Sequence, residues 1–208
     1  MHIPDGVLEP GVWAPLAVAS GLAVAAAARA ARRRLEDESI PLVGVMGAFV
    51  FALQMLNFPL AAGVSGHIVG AGILAIVLGP SVAVLSMTAI VTIQCLVFAD
   101  GGVSALGANV FDMAILSTFA AYGTYRLLRR VLPTAAIVIG SMTGVLAGAS
   151  GAALWVMLSK PYGAKFFAVM LGTHFLSGVI EAIVTVAVVR ALQSAGLRCT
   201  LAPEAQNA

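Results

Sequence analysis

The strongest constraint on this sequence is how its few charges are bunched. Its 208 residues hold only 11 Lys and Arg and 9 Asp and Glu. Between the charged clusters run stretches of about 18 to 25 uncharged residues, long enough as helices to cross about 30 Å of hydrocarbon. With 61% hydrophobic residues, 22 glycines and a mean hydropathy of +1.03, the chain is too apolar for a soluble domain, a disordered tail or a disulfide scaffold.

The apolar runs predict an all-α, polytopic membrane bundle with crossings near 11–30, 41–58, 67–79, 81–98, 105–125, 132–158 and 165–190. That makes about seven transmembrane helices in a single domain over residues 1–192. An amino-terminal segment (1–10) precedes the first helix and a short tail (193–208) follows the last. The third crossing is the weakest, because the stretch from His67 to Gly79 is short and Pro80 interrupts it. A re-entrant half-helix and a tilted short span both fit it.

Orientation follows from the basic residues. Arg29, Arg32, Arg33 and Arg34 follow the first crossing, Arg126, Arg129 and Arg130 the fifth, and Arg190 and Arg198 the seventh, with only Lys160 and Lys165 elsewhere. Placing the arginine clusters inside puts the amino terminus outside and the carboxyl terminus in the cytoplasm. Six crossings would strand the Arg126 cluster on the wrong side. The expected location is the cell membrane, as a multi-pass protein. The basic residues flank apolar spans, so the net charge of +2 carries no nucleic-acid reading. The amino terminus has no basic n-region, so the first residues are expected to survive in the mature protein. Cys95 and Cys199 lack CxxC or histidine neighbours and read as plain thiols.

Two of the three histidines, His2 and His67, fall at external ends of spans by this topology, so they can meet at one surface. A histidine directly after a retained Met1 has a chelating capacity that internal histidines lack. The Met1 amine, the deprotonated amide nitrogen of His2 and the His2 imidazole can bind one cation through fused five- and six-membered rings. These three nitrogens lie nearly in a plane and leave one equatorial position, for which His67 is the obvious candidate. Such an all-nitrogen site suits Ni²⁺ or Cu²⁺, accommodates Co²⁺, and fits tetrahedral Zn²⁺ poorly. Uptake should weaken as pH falls, because the ligands must lose protons. The competing reading of His2 is a polar residue on a frayed terminus.

Three motifs add to this. Met1-His2-Ile3-Pro4-Asp5-Gly6, the run Gly66-His67-Ile68-Val69-Gly70-Ala71-Gly72 ahead of Leu78-Gly79-Pro80, and Gly101-Gly102-Val103-Ser104-Ala105-Leu106-Gly107-Ala108-Asn109 resemble the CbiM/NikM family. These are substrate-binding membrane components of energy-coupling-factor transporters for cobalt and nickel. The motifs cover residues 1 to about 125, and the span pattern continues to about 192. The resemblance implies a seven-helix bundle with an external amino terminus and metal ligation by Met1, His2 and His67. It also implies partners: a transmembrane coupling subunit, cytoplasmic ATPase subunits and often a small auxiliary membrane protein. Ni²⁺ or Co²⁺ is then transported substrate, with no prosthetic group, and the chain is not itself an enzyme. Cobalt members commonly continue Met-His-Ile with Met-Glu-Gly, so Pro4-Asp5-Gly6 leans toward nickel.

Other polar residues remain open. Asp100, at the external end of the fourth span, either orients His67 or the amino terminus from a second shell or caps a turn beside Gly101-Gly102. Asn109 and Asp112 share a helix face at i, i+3 and read as a polar seam. His174 and Glu181, seven apart, read as interhelical hydrogen-bonding groups. Together with Asp112 they would form the relay of an alternative, a proton-coupled secondary carrier. An intramembrane metalloenzyme would need an open metal position and a general base, and no HExxH is present. Gln54, Asn57, Gln94 and the methionines Met46, Met55, Met87 and Met113 read as packing. The small-residue stripe Ala19, Ala23, Ala27 and Ala31 offers a close-packing face, for a partner or within the bundle.

Overall fold

The computed structural model describes residues 1–196 apart from Arg34, Glu36, Asn57, Ala62 and Gly63. The carboxyl tail beyond 196, with Arg198 and Cys199, lies outside the described residues. The chain forms α1 (Pro10–Arg32), one 3₁₀ turn (Asp37–Ser39), α2 (Ile40–Gln54), a small antiparallel hairpin of β1 (Phe58–Ala61) and β2 (Val64–Gly66), and α3 (Ala71–Leu78). Next come α4 (Pro80–Phe98), α5 (Leu106–Val110), a π-helical turn (Phe111–Leu116), α6 (Ser117–Leu128), α7 (Pro133–Ser159) and α8 (Ala164–Ser194). The junctions of α5, the π turn and α6 all keep right-handed helical angles, so 106–128 is one continuous helical run. The molecule is thus a helical membrane bundle. By length and composition α1, α4, α7 and α8 suffice to cross a bilayer.

Proline marks several helix starts, at the first turns of α1, α2, α4 and α7. A first-turn proline sacrifices no intrahelical bond and presets φ. The expected second span is shortened. Helix α2 stops at Gln54 rather than near 58, because Pro59 cannot continue a helix and falls in the hairpin. The expected third span also changes character. Residues 67–70 are extended and α3 has eight residues, about 12 Å of helix at 1.5 Å per residue. Every residue of α3 is buried, as suits a helix that is apolar on all sides. Gly79, at φ +80°, breaks α3 from α4 and reverses the chain so that the two pack against each other.

A close helix contact runs along α7, where the sequence has no alanine stripe. Gly140, Gly144, Gly148 and Gly151 form a seam on α7. A side chain at these positions would strike the backbone of Ala121, the backbone of Ser117, the Ser117 hydroxyl and the Asp112 carboxylate, respectively. The seam brings α7 against α6 and the π turn, the close approach that small residues permit in membrane helices. Within the α1 stripe, Ala27 and Ala31 are buried inside the bundle while Ala19 and Ala23 are half-buried. The half of the stripe toward the carboxyl end of α1 therefore packs internally. Val18 and Leu22 on α1, Leu96 and Val97 on α4, Leu158 on α7 and Ile183 on α8 point outward, an apolar exterior that lipid would cover.

Two contacts fix which helix ends lie together. Lys160, just past α7, approaches Glu9 at 3.5 Å, and Ser159 Oγ accepts the Glu9 N–H at 3.1 Å. The carboxyl end of α7 thus sits beside the amino end of α1. At the far end of α7, Thr134 lies 3.4 Å from Arg190, near the end of α8. Arg190 and Lys160 are therefore separated by the length of α7.

Candidate metal centre

The first five residues are not frayed. Asn109, on α5, accepts the Ile3 N–H through Oδ1 at 2.8 Å and donates from Nδ2 to the Ile3 carbonyl at 3.0 Å. The Gly102 N–H donates to the same carbonyl at 2.9 Å. Two residues on, Asp5 Oδ2 accepts the Val103 N–H at 3.0 Å, and its Oδ1 accepts the Ser104 N–H at 2.8 Å and the Ser104 hydroxyl at 2.5 Å. These bonds hold the Asp5 carboxyl below the usual carboxylate range. A Cβ on Gly102 would fall on the Asp5 nitrogen, so the close approach of the two strands of chain requires glycine there. Ile3 and Leu8 are buried in an apolar cluster with Leu16, Ala105, Ala108, Ala152 and Val156.

The terminus so pinned meets the loop after β2. The Met1 amine lies 3.2 Å from His67 Nε2. His67 Nδ1 donates to the Ile68 carbonyl at 2.9 Å, which fixes the proton on Nδ1 and leaves the Nε2 lone pair facing the amine. The His2 ring stands beside that of His67, with centroids 5.3 Å apart. Both His2 ring nitrogens are buried without a hydrogen-bond partner. Asp100 is the nearest carboxylate, with Oδ2 3.8 Å from His2 Nε2. That is too long for a hydrogen bond, but it favours the proton on Nε2 and a lone pair on Nδ1. Burial, and secondarily the terminal ammonium, lowers the His2 pKa to about 3. Burial lowers the Met1 amine from 8.0 to about 6, against the opposing pull of Asp100. Near neutral pH the centre therefore presents nitrogen lone pairs rather than positive charge.

Met1, His2, His67 and Asp100 are thus brought together, with Asp100 addressing His2 rather than His67. Asp112, His174, Glu181 and Asn109 make contacts elsewhere. Asp112, in the π turn, accepts from Trp155 Nε1 at 2.9 Å. His174 Nδ1 faces the Met170 carbonyl of its own helix at 2.8 Å, which departs from the interhelical role expected of it. Glu181 accepts backbone N–H groups of Val69 and Gly70. Asn109 binds the backbone of Ile3, so it does not share a polar seam with Asp112. Among the described residues, no three His, Cys, Asp or Glu side chains converge as a metal site. Any ion held here would draw on the terminal amine and backbone.

These features define a multi-pass helical membrane protein that folds its own first residues into a nitrogen-lined cage at one end. Its sequence matches the CbiM family, described as the cobalt uptake substrate-specific transmembrane region, over residues 2–198, and the chain belongs to that family. It is 44% identical over 195 residues to a putative metal transport protein of Haloquadratum walsbyi, covering 90% of this chain and 88% of that protein. It is 38% identical to a putative fused nickel transport protein NikMN of Archaeoglobus fulgidus, covering 94% of this chain but 66% of that longer protein. A crystal structure of a transition metal transporter superposes with a TM-score of 0.86 at 33% identity, covering 94% of this chain and 93% of that one.

Proposed function

We propose that this chain is the substrate-capture membrane subunit of an energy-coupling-factor importer, taking up Ni²⁺ or Co²⁺ from outside the cell membrane. The observation that carries this is the 3.2 Å approach of the Met1 amine to the unprotonated Nε2 of His67, with the unpartnered His2 ring beside it. An ion would be bound by the Met1 amine, the His2 amide and imidazole, and His67. In that square the amide nitrogen, central in the fused chelate, stands opposite His67, and the amine occupies the corner next to His67. Adjacent corners of a square with metal–nitrogen bonds of about 2.0–2.1 Å are about 2.9 Å apart. The two nitrogens need to close by only a few tenths of an ångström.

In this reading seven crossings alternate from an external amino terminus. The third is the extended 67–70 run with α3, and the fifth is the continuous 106–128 helix. The site end of the bundle faces outward, and Arg29, Arg126, Arg129, Arg130 and Arg190 face the cytoplasm. Asp100 supports the chelate by holding the His2 tautomer. A multidentate chelate releases its ion slowly, so the amino-terminal segment must be drawn away from His67. That work falls to a transmembrane coupling subunit and cytoplasmic ATPases, with a small auxiliary membrane subunit as a further partner. Nickel is the favoured cargo, because Pro4-Asp5 departs from the cobalt pattern and nickel stands above cobalt in intrinsic affinity.

The test is Ni²⁺ and Co²⁺ binding to the purified chain, beside an insertion of one alanine between Met1 and His2 and a His67→Ala variant. The insertion keeps every side chain and changes only the chelate rings. Loss of binding in both supports the terminal site, and undiminished binding in both removes it.

A further inference from the structure

His67 stands on a short loop with no helix of its own, yet its ring must be held to a few tenths of an ångström to complete a square. The structure supplies two side chains, from two different helices, that grip this loop. Glu181, in the middle of α8 and buried, accepts the Val69 N–H at 2.8 Å and the Gly70 N–H at 3.0 Å through a single oxygen, Oε2. Gln54, the buried last residue of α2, donates from Nε2 to the Val69 carbonyl. Both polar groups of Val69 are therefore held by side chains remote in sequence. The Ile68 carbonyl, one residue before, is the group that fixes the His67 tautomer.

Gly70 itself is held in the left-handed region at φ +75°, where it opens α3, and Val50 of α2 packs against it so closely that a Cβ would overlap. The loop thus has little freedom except what α2 and α8 allow. A carboxylate in such an apolar interior is costly unless hydrogen-bonded. Its retention here goes with a job that an apolar residue cannot do, binding two backbone N–H groups ahead of a helix start.

Resting on the metal-capture reading, we infer that Glu181 and Gln54 are positioning residues for His67. Together they clamp the Val69–Gly70 backbone so that the Ile68 carbonyl presents His67 Nε2 to the amino-terminal chelate. Neither residue touches the ion. Because Glu181 belongs to α8 and Gln54 to α2, a displacement of either helix would move the fourth nitrogen while leaving the three nitrogens of Met1 and His2 together. The clamp is therefore the structural link through which a helix tilt reaches the ion.

The experiment uses the full chain in detergent with Cu²⁺ as a spectroscopic probe and Ni²⁺ for affinity. Nitrogen hyperfine structure in the Cu²⁺ spectrum counts the bound nitrogens. Wild type is expected to give four, and His67→Ala three. Glu181→Leu and Gln54→Leu should each shift the spectrum toward three nitrogens and weaken Ni²⁺ binding about 10- to 100-fold. Glu181→Gln, which keeps an acceptor oxygen, should restore the fourth. Four-nitrogen spectra in both leucine variants would overturn the inference. So would loss of all nitrogens together, which would mark a general structural role. Should wild type itself lack the amino-terminal nitrogens, the capture reading fails first, an outcome distinct from a clamp that does not act.

Discussion

The Asn109 side-chain amide hydrogen-bonds both polar groups of Ile3, accepting its N–H and donating to its carbonyl, much as a neighbouring strand would. This pairing converts the start of the chain from a loose end into part of the bundle. Replacing Asn109 with leucine would leave a buried N–H unsatisfied and remove a donor from the carbonyl, at a local cost of about 1–3 kcal/mol. The chain should still fold, since α5 keeps its apolar contacts. Its amino terminus should become cleavable by an aminopeptidase that spares wild type, and Ni²⁺ binding should weaken about tenfold or more. Resistance to the aminopeptidase with undiminished binding would show that Asn109 is dispensable.

The pH response of binding should differ from that of a free Met-His-Ile peptide. In the protein the amine is lowered from 8.0 to about 6, so it carries no competing proton over most of the interval between these values. The peptide amine still does. Below about 6 the amine in the protein also protonates, and affinity then falls with a second proton per ion in addition to the one released by the amide. Ni²⁺ titrations at a series of pH values should therefore show a shallow dependence near neutrality that steepens below about pH 6. For the peptide the steepening should begin near 8. Identical profiles would mean that burial does not tune the amine.

Much of this architecture was legible from charge and apolar length alone. Arg190 and Lys160 lie at opposite ends of α7, as expected of residues flanking one span on either side. The association of Met1, His2 and His67 followed from chelate chemistry and motif resemblance, and the geometry brings these residues within contact. What periodicity could not reveal was set by long-range packing. The short α3 is apolar on every face, so nothing in its pattern separates a buried half-helix from a lipid-facing span. The role of Asn109 depends on a segment more than a hundred residues away. Glu181 and Gln54 likewise act on backbone groups of the distant Val69 loop, for which sequence carries no signal. The glycine seam of α7 was readable, since Gly140, Gly144 and Gly148 stand at four-residue intervals.

That seam predicts a stability effect at Gly144, one turn along α7 from Gly148, which itself approaches the Met1 side chain. Gly144 faces the Ser117 carbonyl and the Ala121 side chain, so Gly144→Val would force α6 and α7 apart. Overpacking of this kind costs about 1–3 kcal/mol. The expected result is a lower thermal unfolding midpoint in detergent, with the nitrogen count of bound Cu²⁺ unchanged. An unaltered midpoint would show that the two helices part without cost.

The topology can be tested at two exposed positions at opposite ends of the bundle. Tyr162 lies just past Lys160, which neighbours Glu9 and the amino-terminal site. Leu127 lies in the arginine cluster with Arg126, Arg129 and Arg130, and is 79% exposed. In a Cys199→Ser background the native Cys95 is buried, so an introduced thiol at either position is the reactive one. Tyr162→Cys should label with a membrane-impermeant maleimide in intact cells. Leu127→Cys should label only after the membrane is opened. The reverse pattern would turn the capture site toward the cytoplasm and exclude import from outside by this chain. Labelling of both in intact cells would mean that α7 does not lie across the membrane as the positive-inside distribution requires.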